Sequence, residues 1–294
     1  MRHLLLSPFR FLTWVLLCGM AAAAAPPPVH RPLNALALVK ECNARDLGAT
    51  GWRSVTLEMH TGGRVTRTLK IANLWQDTAG GLRTLFLLEG PGGLRGTSYL
   101  LTEPGPAGLP MQVHLYLPAG EGRVLEIAPR LHDDGLLGSD FGYRDLLWRL
   151  PEHAFTWTRA GESMALGRRT HLLDAVPSGP ELVASLPWVR LRYHVAEELR
   201  MVVGIDYFRA GETAPAKTVR VEALEQRDGV WTPTRIVASR GGGSTSVLTL
   251  RGARFHLPAL PARHFVPESL PGFAEALRGG TSEQLLTQTA EASP

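Results

Sequence analysis

Short segments in which apolar and polar residues alternate are the feature that most constrains the fold of this chain. The segment SVTLEM places Val55, Leu57 and Met59 on one side, which is the period of a half-buried strand. WVRLRYHV repeats the pattern with Leu191 and Tyr193. About ten or more such segments follow one another, separated by turn signals such as TGG and GGGS, with few helices between them.

This succession of strands excludes a doubly wound fold, because that fold needs strands and helices to alternate. It predicts a mainly β chain built on a single, strongly curved antiparallel sheet. One face of such a sheet is solvated and the other is apolar. A sheet that curls incompletely leaves an apolar concavity, which must be filled by helices, by a partner or by a ligand.

The N-terminus has the three parts of a secretory signal peptide. Arg2 and Arg10 supply the basic start, and residues 11–20 form an apolar run too short to span a bilayer. The alanine run 21–25 offers small-residue cleavage sites. An uncleaved anchor and lipid attachment at Cys18 are the alternatives to cleavage.

Four regions are expected along the chain. Residues 1–25 are the predicted signal peptide and residues 26–32 a stiff, proline-rich leader. Residues 33–275 form one β domain, and residues 276–294 a flexible tail with one weakly helical segment.

Charge and cysteine content narrow the class of protein. The formal net charge of +4 falls to +2 when Arg2 and Arg10 leave with the signal peptide. The remaining arginines are scattered, whereas nucleic-acid binders cluster them, so no nucleic-acid partner is expected. Cys42 is the single cysteine after residue 25, so there is no internal disulfide, and we expect a small buried apolar residue there.

The stretch LLGSDFGYRDL, residues 136–146, invites a catalytic interpretation because Ser139 and Asp140 are adjacent. A nucleophile elbow needs glycines two residues before and after the serine, but Leu137 and Phe141 stand there. Spacing alone does not exclude a triad assembled in space. We favour a turn in which the serine and aspartate side chains bond to backbone and cap the helical turn that follows.

The same region concentrates possible metal ligands. HDD at 132–134, with Asp140 and Asp145 nearby, is rich in carboxylates but lacks the spacing of a calcium loop. We expect a solvated acidic loop and predict no metal. The glycines of GGLRGTSYL lack the spacing of a phosphate-binding loop, so no cofactor is predicted either.

Three motifs in order resemble those of the LolA-like outer membrane lipoprotein-sorting protein family. They are RGTSYL, the hairpin LYLPAGEGRVLEI and GSDFGYRDL, and Arg144 departs from the family pattern, which usually has an acid before Asp145. KTVRVEAL, GVWTPTRIVA and FVPESL also look like later features of the family. The matching positions expected to have structural roles are Gly96, Thr97, Tyr116, Pro118, Gly138, Ser139, Asp140, Phe141, Tyr143 and Asp145.

The resemblance implies a half-open barrel with a few helices lidding an apolar cavity. It also implies a non-enzymatic periplasmic carrier whose partners are lipid or lipoprotein acyl chains. Some relatives look like companions of RND-type inner-membrane transporters, so an adaptor subunit of such an exporter is the first alternative. A periplasmic lipid or glycan hydrolase is the second.

An apolar cavity can hold an acyl chain without any charged contact, because burial yields about 0.8 kcal/mol per CH₂ group. Apolar positions on the predicted strands are therefore the candidates for the cavity lining. They are Leu57, Leu69, Leu85, Leu87, Val113, Leu115, Leu191, Tyr193 and Val221.

Overall fold

The computed structural model describes residues 34–78, 80–103, 110–120 and 122–284. The predicted signal peptide, the leader 26–32 and residues 285–294 of the predicted tail lie outside the described residues. Among the helices that are described, none is long and apolar enough to cross a membrane.

Strands dominate the part of the chain that is described. The helices are α1 (Ala35–Asn43), α2 (Pro180–Ser185) and α3 (Leu270–Gly279). The strands are β1 (Thr50–Thr61), β2 (Arg64–Thr78), β3 (Gly81–Gly90), β4 (Ser98–Thr102), β5 (Gln112–Tyr116), β6 (Val124–Glu126), β7 (Phe155–Ala165), β8 (Arg168–Pro177), β9 (Arg190–Ala196), β10 (Met201–Phe208), β11 (Lys217–Arg227), β12 (Val230–Gly241) and β13 (Ser244–Phe255).

All thirteen strands belong to one sheet in the order β6-β5-β4-β3-β2-β1-β13-β12-β11-β10-β9-β8-β7. Every neighbouring pair is antiparallel, from the β1–β2 hairpin to the pairing of β1 with β13. The sheet does not close, because β6 and β7 form its two edges. The predicted mainly β, single-sheet architecture is confirmed.

The chain between the two edge strands, residues 127–154, is named here the crossing segment. It contacts strands that are far apart in the sheet. Tyr143 packs against Tyr99 of β4 with ring centroids 5.7 Å apart, and Asp145 bonds to Lys217 of β11. A flat sheet would place those two strands about 30 Å apart, so the sheet curls around the crossing segment.

Each face of the sheet carries its own apolar cluster. The inner face, which meets the crossing segment, presents Leu57, Leu69 and Leu191 together with buried residues of α1. The outer face presents a second cluster, including Leu74 and Leu100, that α3 covers. The two clusters arise because neighbouring residues of a strand point to opposite faces.

The covering helix α3 extends into the predicted flexible tail. Leu277 is buried in the outer cluster, and the indole Nε1 of Trp52 donates to the Ser282 hydroxyl at 3.2 Å. Leu277 and Ser282 therefore attach this part of the chain to the sheet, within the region where a flexible tail is expected. The sequence alone did not indicate that this helix packs on the sheet, because its buried apolar stripe is short and consists of Leu270, Ala274 and Leu277.

Candidate functional site

The crossing segment lies on the inner face and buries a row of apolar side chains there. Leu136, Phe141 and Tyr143 belong to the inner cluster, and Leu146 packs against it. The segment contains only short 3-10 turns, at Pro129–Leu131, Leu136–Gly138 and Tyr143–Leu146. The LLGSDFGYRDL stretch is thus a cover over the concave side of the sheet.

In the described part of the chain, a pair of adjoining cavities lies between this cover and the sheet. Their volumes are about 40 Å³ and about 10 Å³, and they share walls at Ile71, Phe86, Leu136 and Leu146. The larger cavity is lined by Arg53, Val55, Leu57, Ile71, Asn73, Phe86, Leu136, Phe141, Leu146, Pro233, Ile236, Leu248 and Leu250. The smaller is lined by Ile71, Phe86, Leu88, Tyr99, Leu101, Val113, Leu136, Leu137, Tyr143 and Leu146.

The size of these cavities limits what they hold in this conformation. A volume of about 40 Å³ has room for a few water molecules. Ligand pockets usually measure about 300–1,000 Å³. The inner face is largely filled by the protein itself, so a ligand larger than a few water molecules does not fit in this conformation.

A buried ion pair anchors the middle of the crossing segment. Asp145 accepts hydrogen bonds from the Lys217 ammonium and the Tyr207 hydroxyl, and the side chains of Asp145 and Lys217 are fully buried. Asp145 also accepts the backbone N–H of Gly142 at 2.7 Å, which caps the turn Tyr143–Leu146. The side chain that caps this turn is thus Asp145, and not Ser139 or Asp140 as predicted, because the residue before the turn, Gly142, has no side chain of its own.

Ser139 and Asp140 form a second anchor, and only one of them bonds as predicted. The Ser139 hydroxyl accepts the N–H of Phe141 at 3.2 Å, which confirms a backbone contact. The Asp140 carboxylate instead accepts the hydroxyls of Ser244 and Ser246 at 2.8 and 2.7 Å, so its predicted bond to backbone is wrong. Both serines belong to β13, which lies far along the chain from Asp140, so this contact could not be predicted from the sequence.

The HDD stretch is not the solvated loop that we expected. His132 and Asp133 are buried and only Asp134 is exposed. Asp133 accepts Arg144 Nε at 2.8 Å and the indole of Trp188 at 3.1 Å. The residue that departs from the family pattern, Arg144, thus neutralises a buried carboxylate.

Glu103 holds the far end of the crossing segment. Its carboxylate accepts the backbone N–H groups of Trp148 and Arg149 at 2.7 and 3.0 Å. Burial raises the pKa of Glu103 to about 8, although these two hydrogen bonds favour the charged form. Glu103 follows β4 directly, so the sheet itself supplies this anchor.

The structure divides the predicted lining residues between the two faces. Leu57, Leu69, Val113, Leu191 and Tyr193 lie in the inner cluster and Leu115 packs against it, whereas Val221 is half-buried opposite Ile236. Leu85 and Leu87 lie on the outer face under α3. Leu57 and Val113 line the cavities in this conformation, and contact of any of these residues with a ligand stays a prediction.

The family motifs also divide between the faces. Gly96, with φ +84°, packs so closely that an added Cβ would lie 3.2 Å from Pro118 and 3.3 Å from Ala274 of α3. Arg95 donates to the carbonyl of Leu277 at the end of α3. Thr97 is buried beside these contacts and Tyr116 packs against the outer cluster. The first two motifs therefore dock α3, and the third covers the inner face.

The polar residues that line the larger cavity, Arg53 and Asn73, were not among the predicted lining residues. Arg53 of β1 and Asn73 of β2 are direct cross-strand partners, and both line the larger cavity. Burial lowers the pKa of Arg53 to about 10, and its guanidinium lies 4.4 Å from the ring centroid of Trp148. The period-two alternation of β2 could have indicated Asn73, because it places Asn73 on the same inner face as Leu69 and Ile71.

Other reactive groups have structural partners. Within the described ranges, no three His, Cys, Asp or Glu side chains are arranged to hold a metal ion. Cys42 is a free thiol buried in the inner cluster, as predicted, and burial raises its pKa to about 12.

Comparison with known proteins agrees with this architecture. A family model described as "Uncharacterized protein" matches residues 80–271, more than half of the chain. No curated protein matches the sequence.

Three solved structures have the same fold. A DUF1329 family protein from Desulfovibrio piger is 19% identical with a TM-score of 0.71, over 80% of this chain and 97% of that one. A domain named for outer membrane lipoprotein sorting, from Vibrio parahaemolyticus, has the same identity of 19% and TM-score of 0.71, over 81% and 98%. A LolA superfamily protein from Nitrosomonas europaea is 13% identical with a TM-score of 0.60, over 80% and 98%. These likenesses confirm the fold expected from the motifs.

Proposed function

The chain belongs to the family of uncharacterized proteins whose model matches residues 80–271, and it has the LolA-like fold of lipoprotein-sorting proteins. We propose that it is a non-enzymatic carrier of lipid or lipoprotein acyl chains in the periplasm. Its cargo lies between the inner face of the sheet and the crossing segment. The carrier releases its cargo unchanged, so it needs an apolar surface that opens and closes.

One observation carries this proposal. The apolar inner face is covered by a segment without long helices, which is held by polar anchors and leaves two adjoining cavities. An acyl chain buried there would gain about 0.8 kcal/mol per CH₂, which offsets the cost of exposing the apolar side chains of the cover that it displaces. Exchange of cover for cargo keeps the inner face dry in both states, which favours reversible binding.

Lipid that copurifies with the protein tests the proposal. We expect mass spectrometry of natively purified, folded protein to find an acyl lipid in roughly stoichiometric amount. Ile71→Phe places a larger side chain in the wall that both cavities share, and it should lower the amount of bound lipid several-fold.

The matched control is Leu87→Phe, a similar enlargement on the outer face. Overpacking costs about 1–3 kcal/mol at either site, so the two variants should lose similar stability. Only Ile71→Phe should lose lipid. A wild-type protein that contains no lipid and takes up no added amphiphile would rule out the carrier.

The adaptor subunit of an RND-type exporter is the second candidate, and the small volume of the cavities favours it. In that case the crossing segment covers the concave inner face permanently and no cargo replaces it. Capture from detergent extracts, with an RND-type transporter identified by mass spectrometry, should then persist in Ile71→Phe. Loss of capture together with loss of lipid would favour the carrier instead.

Export is part of the carrier proposal. It requires residues 1–25 to act as a signal peptide, with residues 26–32 leading into the domain. Mass spectrometry of the mature N-terminus should find cleavage after Ala23 or Ala24. A retained N-terminus, or a lipid on Cys18, would contradict the proposed soluble carrier.

A further inference from the structure

The larger cavity has one polar end in an otherwise apolar wall. Arg53 and Asn73 stand opposite each other in the β1–β2 ladder, so their Cβ atoms are about 5 Å apart on the same face. Asn73 is only 1% exposed. Its Oδ1 and the Nε of Arg53 are buried, and neither has a hydrogen-bond partner among the described residues.

Unpaired buried polar atoms are uncommon in folded proteins and need an explanation. Water molecules in the cavity would satisfy a donor and an acceptor. Water would not neutralise the charge of Arg53, which is protonated at neutral pH even though burial lowers its pKa to about 10. A bound anion would satisfy the hydrogen bonds and neutralise the charge together.

The nearest acid does not fill this role. Glu103 is the acid that interacts electrostatically with Arg53, but burial raises the pKa of Glu103 to about 8. Glu103 is therefore mostly uncharged at neutral pH. Its carboxyl oxygens are already engaged by the N–H groups of Trp148 and Arg149. The positive charge at the end of the cavity is left without a full counter-charge.

The remaining walls decide what kind of anion fits. Beyond Arg53 and Asn73 the larger cavity is apolar, and it adjoins the smaller cavity through Ile71, Phe86 and Leu146. A chain that enters from the polar end would run along this shared wall toward Val113. The path is narrow, so it suits one chain more than several.

We infer that Arg53 and Asn73 bind the anionic headgroup, a carboxylate or a phosphate, of a single-chain amphiphile whose tail occupies the adjoining cavities. The guanidinium of Arg53 pairs with two oxygens of the head. Asn73 accepts from a protonated oxygen or, with its amide turned, donates to a charged one. This inference rests on the proposed carrier function and specifies which cargo it takes.

Calorimetric titration with three probes of equal chain length tests the inference. The probes are dodecanoate and dodecyl phosphate, each below its critical micelle concentration, and dodecanol below its limit of solubility in water. We expect wild-type protein to bind at least one of the two anions about tenfold or more tightly than the neutral alcohol. The tighter anion identifies the head as carboxylate or phosphate.

Variants assign the preference to the polar end. Arg53→Met should remove the preference for the anion while dodecanol binding stays within about twofold, because the tail contacts remain. Asn73→Leu should weaken the preference less. The matched control is Arg251→Met, since Arg251 bonds to Thr56 and does not line the cavity; its preference should equal that of wild type.

The outcomes separate the two proposals. Equal binding of all three probes by wild-type protein would overturn the headgroup site and leave the carrier standing. Binding of none would overturn both. A preference that survives Arg53→Met in a folded variant would place the anion elsewhere and overturn the inference. Where Arg53→Met does not fold, Asn73→Leu takes its place: an anion preference equal to that of the wild type in folded Asn73→Leu would overturn the inference.

Discussion

The two faces of the sheet are covered in different ways. On the outer face, α3 buries Leu270, Ala274 and Leu277 against a compact apolar cluster. On the inner face, the crossing segment buries its apolar residues loosely enough to leave two cavities. Both covers hide apolar strand residues from water, but only the inner one is built without long helices.

The backbone explains the difference. A helix satisfies most of its own N–H and C=O groups, so α3 needs from the sheet an apolar surface and bonds at its ends. In the crossing segment, several backbone groups bond instead to side chains of other elements. Ser246 receives the N–H of Asp140, Glu103 receives two N–H groups, and Arg240 donates to the carbonyl of Asp133.

This contrast has a consequence for function. A cover held at separate polar points can detach when water or a ligand replaces those bonds, while the sheet and α3 stay folded. A cover that is one apolar helix on a filled cluster detaches only by exposing that cluster. Reversible opening is therefore expected on the inner face, and rigidity on the outer.

The largest effect should come from the central anchor of the inner cover. Lys217→Met leaves the fully buried Asp145 carboxylate without its cation. We expect a loss of about 3–5 kcal/mol in the free energy of unfolding, measured by urea denaturation. The double variant Lys217→Met with Asp145→Asn removes both charges, and it should recover at least half of that loss.

An exposed pair supplies the control for charge loss. Arg235 pairs with Glu222 on the surface, with both side chains nearly half exposed. Arg235→Met should cost less than about 1 kcal/mol. If Lys217→Met cost no more than Arg235→Met, the buried pair would not be an anchor.

A matched pair of leucine truncations compares the two covers directly. Leu277→Ala removes a fully buried side chain from α3 and should cost about 2–5 kcal/mol, because the filled outer cluster cannot close the gap. Leu146→Ala removes a half-buried side chain that already borders both cavities. We expect its cost to stay below about 2 kcal/mol.

Urea denaturation of both variants gives the comparison. Equal losses would mean that the inner cover is packed as tightly as the outer one. Uptake of an added amphiphile gives a second comparison. It should increase in Leu146→Ala, which widens the cavities, and stay unchanged in Leu277→Ala, which does not touch them.

The sequence predicted the sheet because its strands alternate with period two. That alternation also placed Leu57, Leu69, Leu191 and Tyr193 on the correct side. It failed for Leu85 and Leu87, since RTLFLLEG is apolar in both phases and the strand is covered on both faces.

Less of the candidate site could be predicted, because its contacts join residues far apart in the chain. His132 and Asp133 looked solvated, yet Trp188 lies 55 residues from its partner Asp133. Asp140 meets Ser246 across 106 residues. The strand β7 had no clear signal because it is an edge strand, and few of its residues are buried.

Glu103 makes the inner cover sensitive to pH. Its pKa rises from an ordinary value of 4.5 to about 8 on folding, because burial disfavours the charged carboxylate. The unfolded chain therefore ionises Glu103 first, and this group's contribution to stability is full below pH 4.5 and falls as pH rises toward 8. Between pH 5 and 7 we expect the free energy of unfolding to fall by about 2 kcal/mol from this cause.

Glu103→Gln isolates that contribution, since glutamine does not titrate and keeps one of the two acceptor oxygens that Trp148 and Arg149 use. Urea denaturation at pH 5 and pH 7 should show a smaller loss with rising pH in Glu103→Gln than in the wild type. The outer cover supplies the control, because Leu277→Ala should retain the wild-type slope. Equal slopes in wild type and Glu103→Gln would show that Glu103 is charged in the folded protein.

The smallest effect is expected at the serine that first suggested catalysis. Ser139 contributes a hydroxyl that accepts the N–H of Phe141 at 3.2 Å, and it sits beside the Asp140 carboxylate that β13 holds. Ser139→Ala should cost about 0.5–1.5 kcal/mol in urea denaturation, because it loses two long local hydrogen bonds to Phe141, one accepted from its N–H and one donated to its carbonyl. As a carrier, the variant should bind acyl lipid as well as the wild type does.

A hydrolase that uses Ser139 predicts the opposite pattern: full stability, and loss of a hydrolytic activity that wild-type protein has on lipid or glycan esters. Assaying both variants, Ser139→Ala and Asp140→Asn, on the same preparation separates a structural turn from a nucleophile, since only a turn gives a stability loss without a loss of turnover.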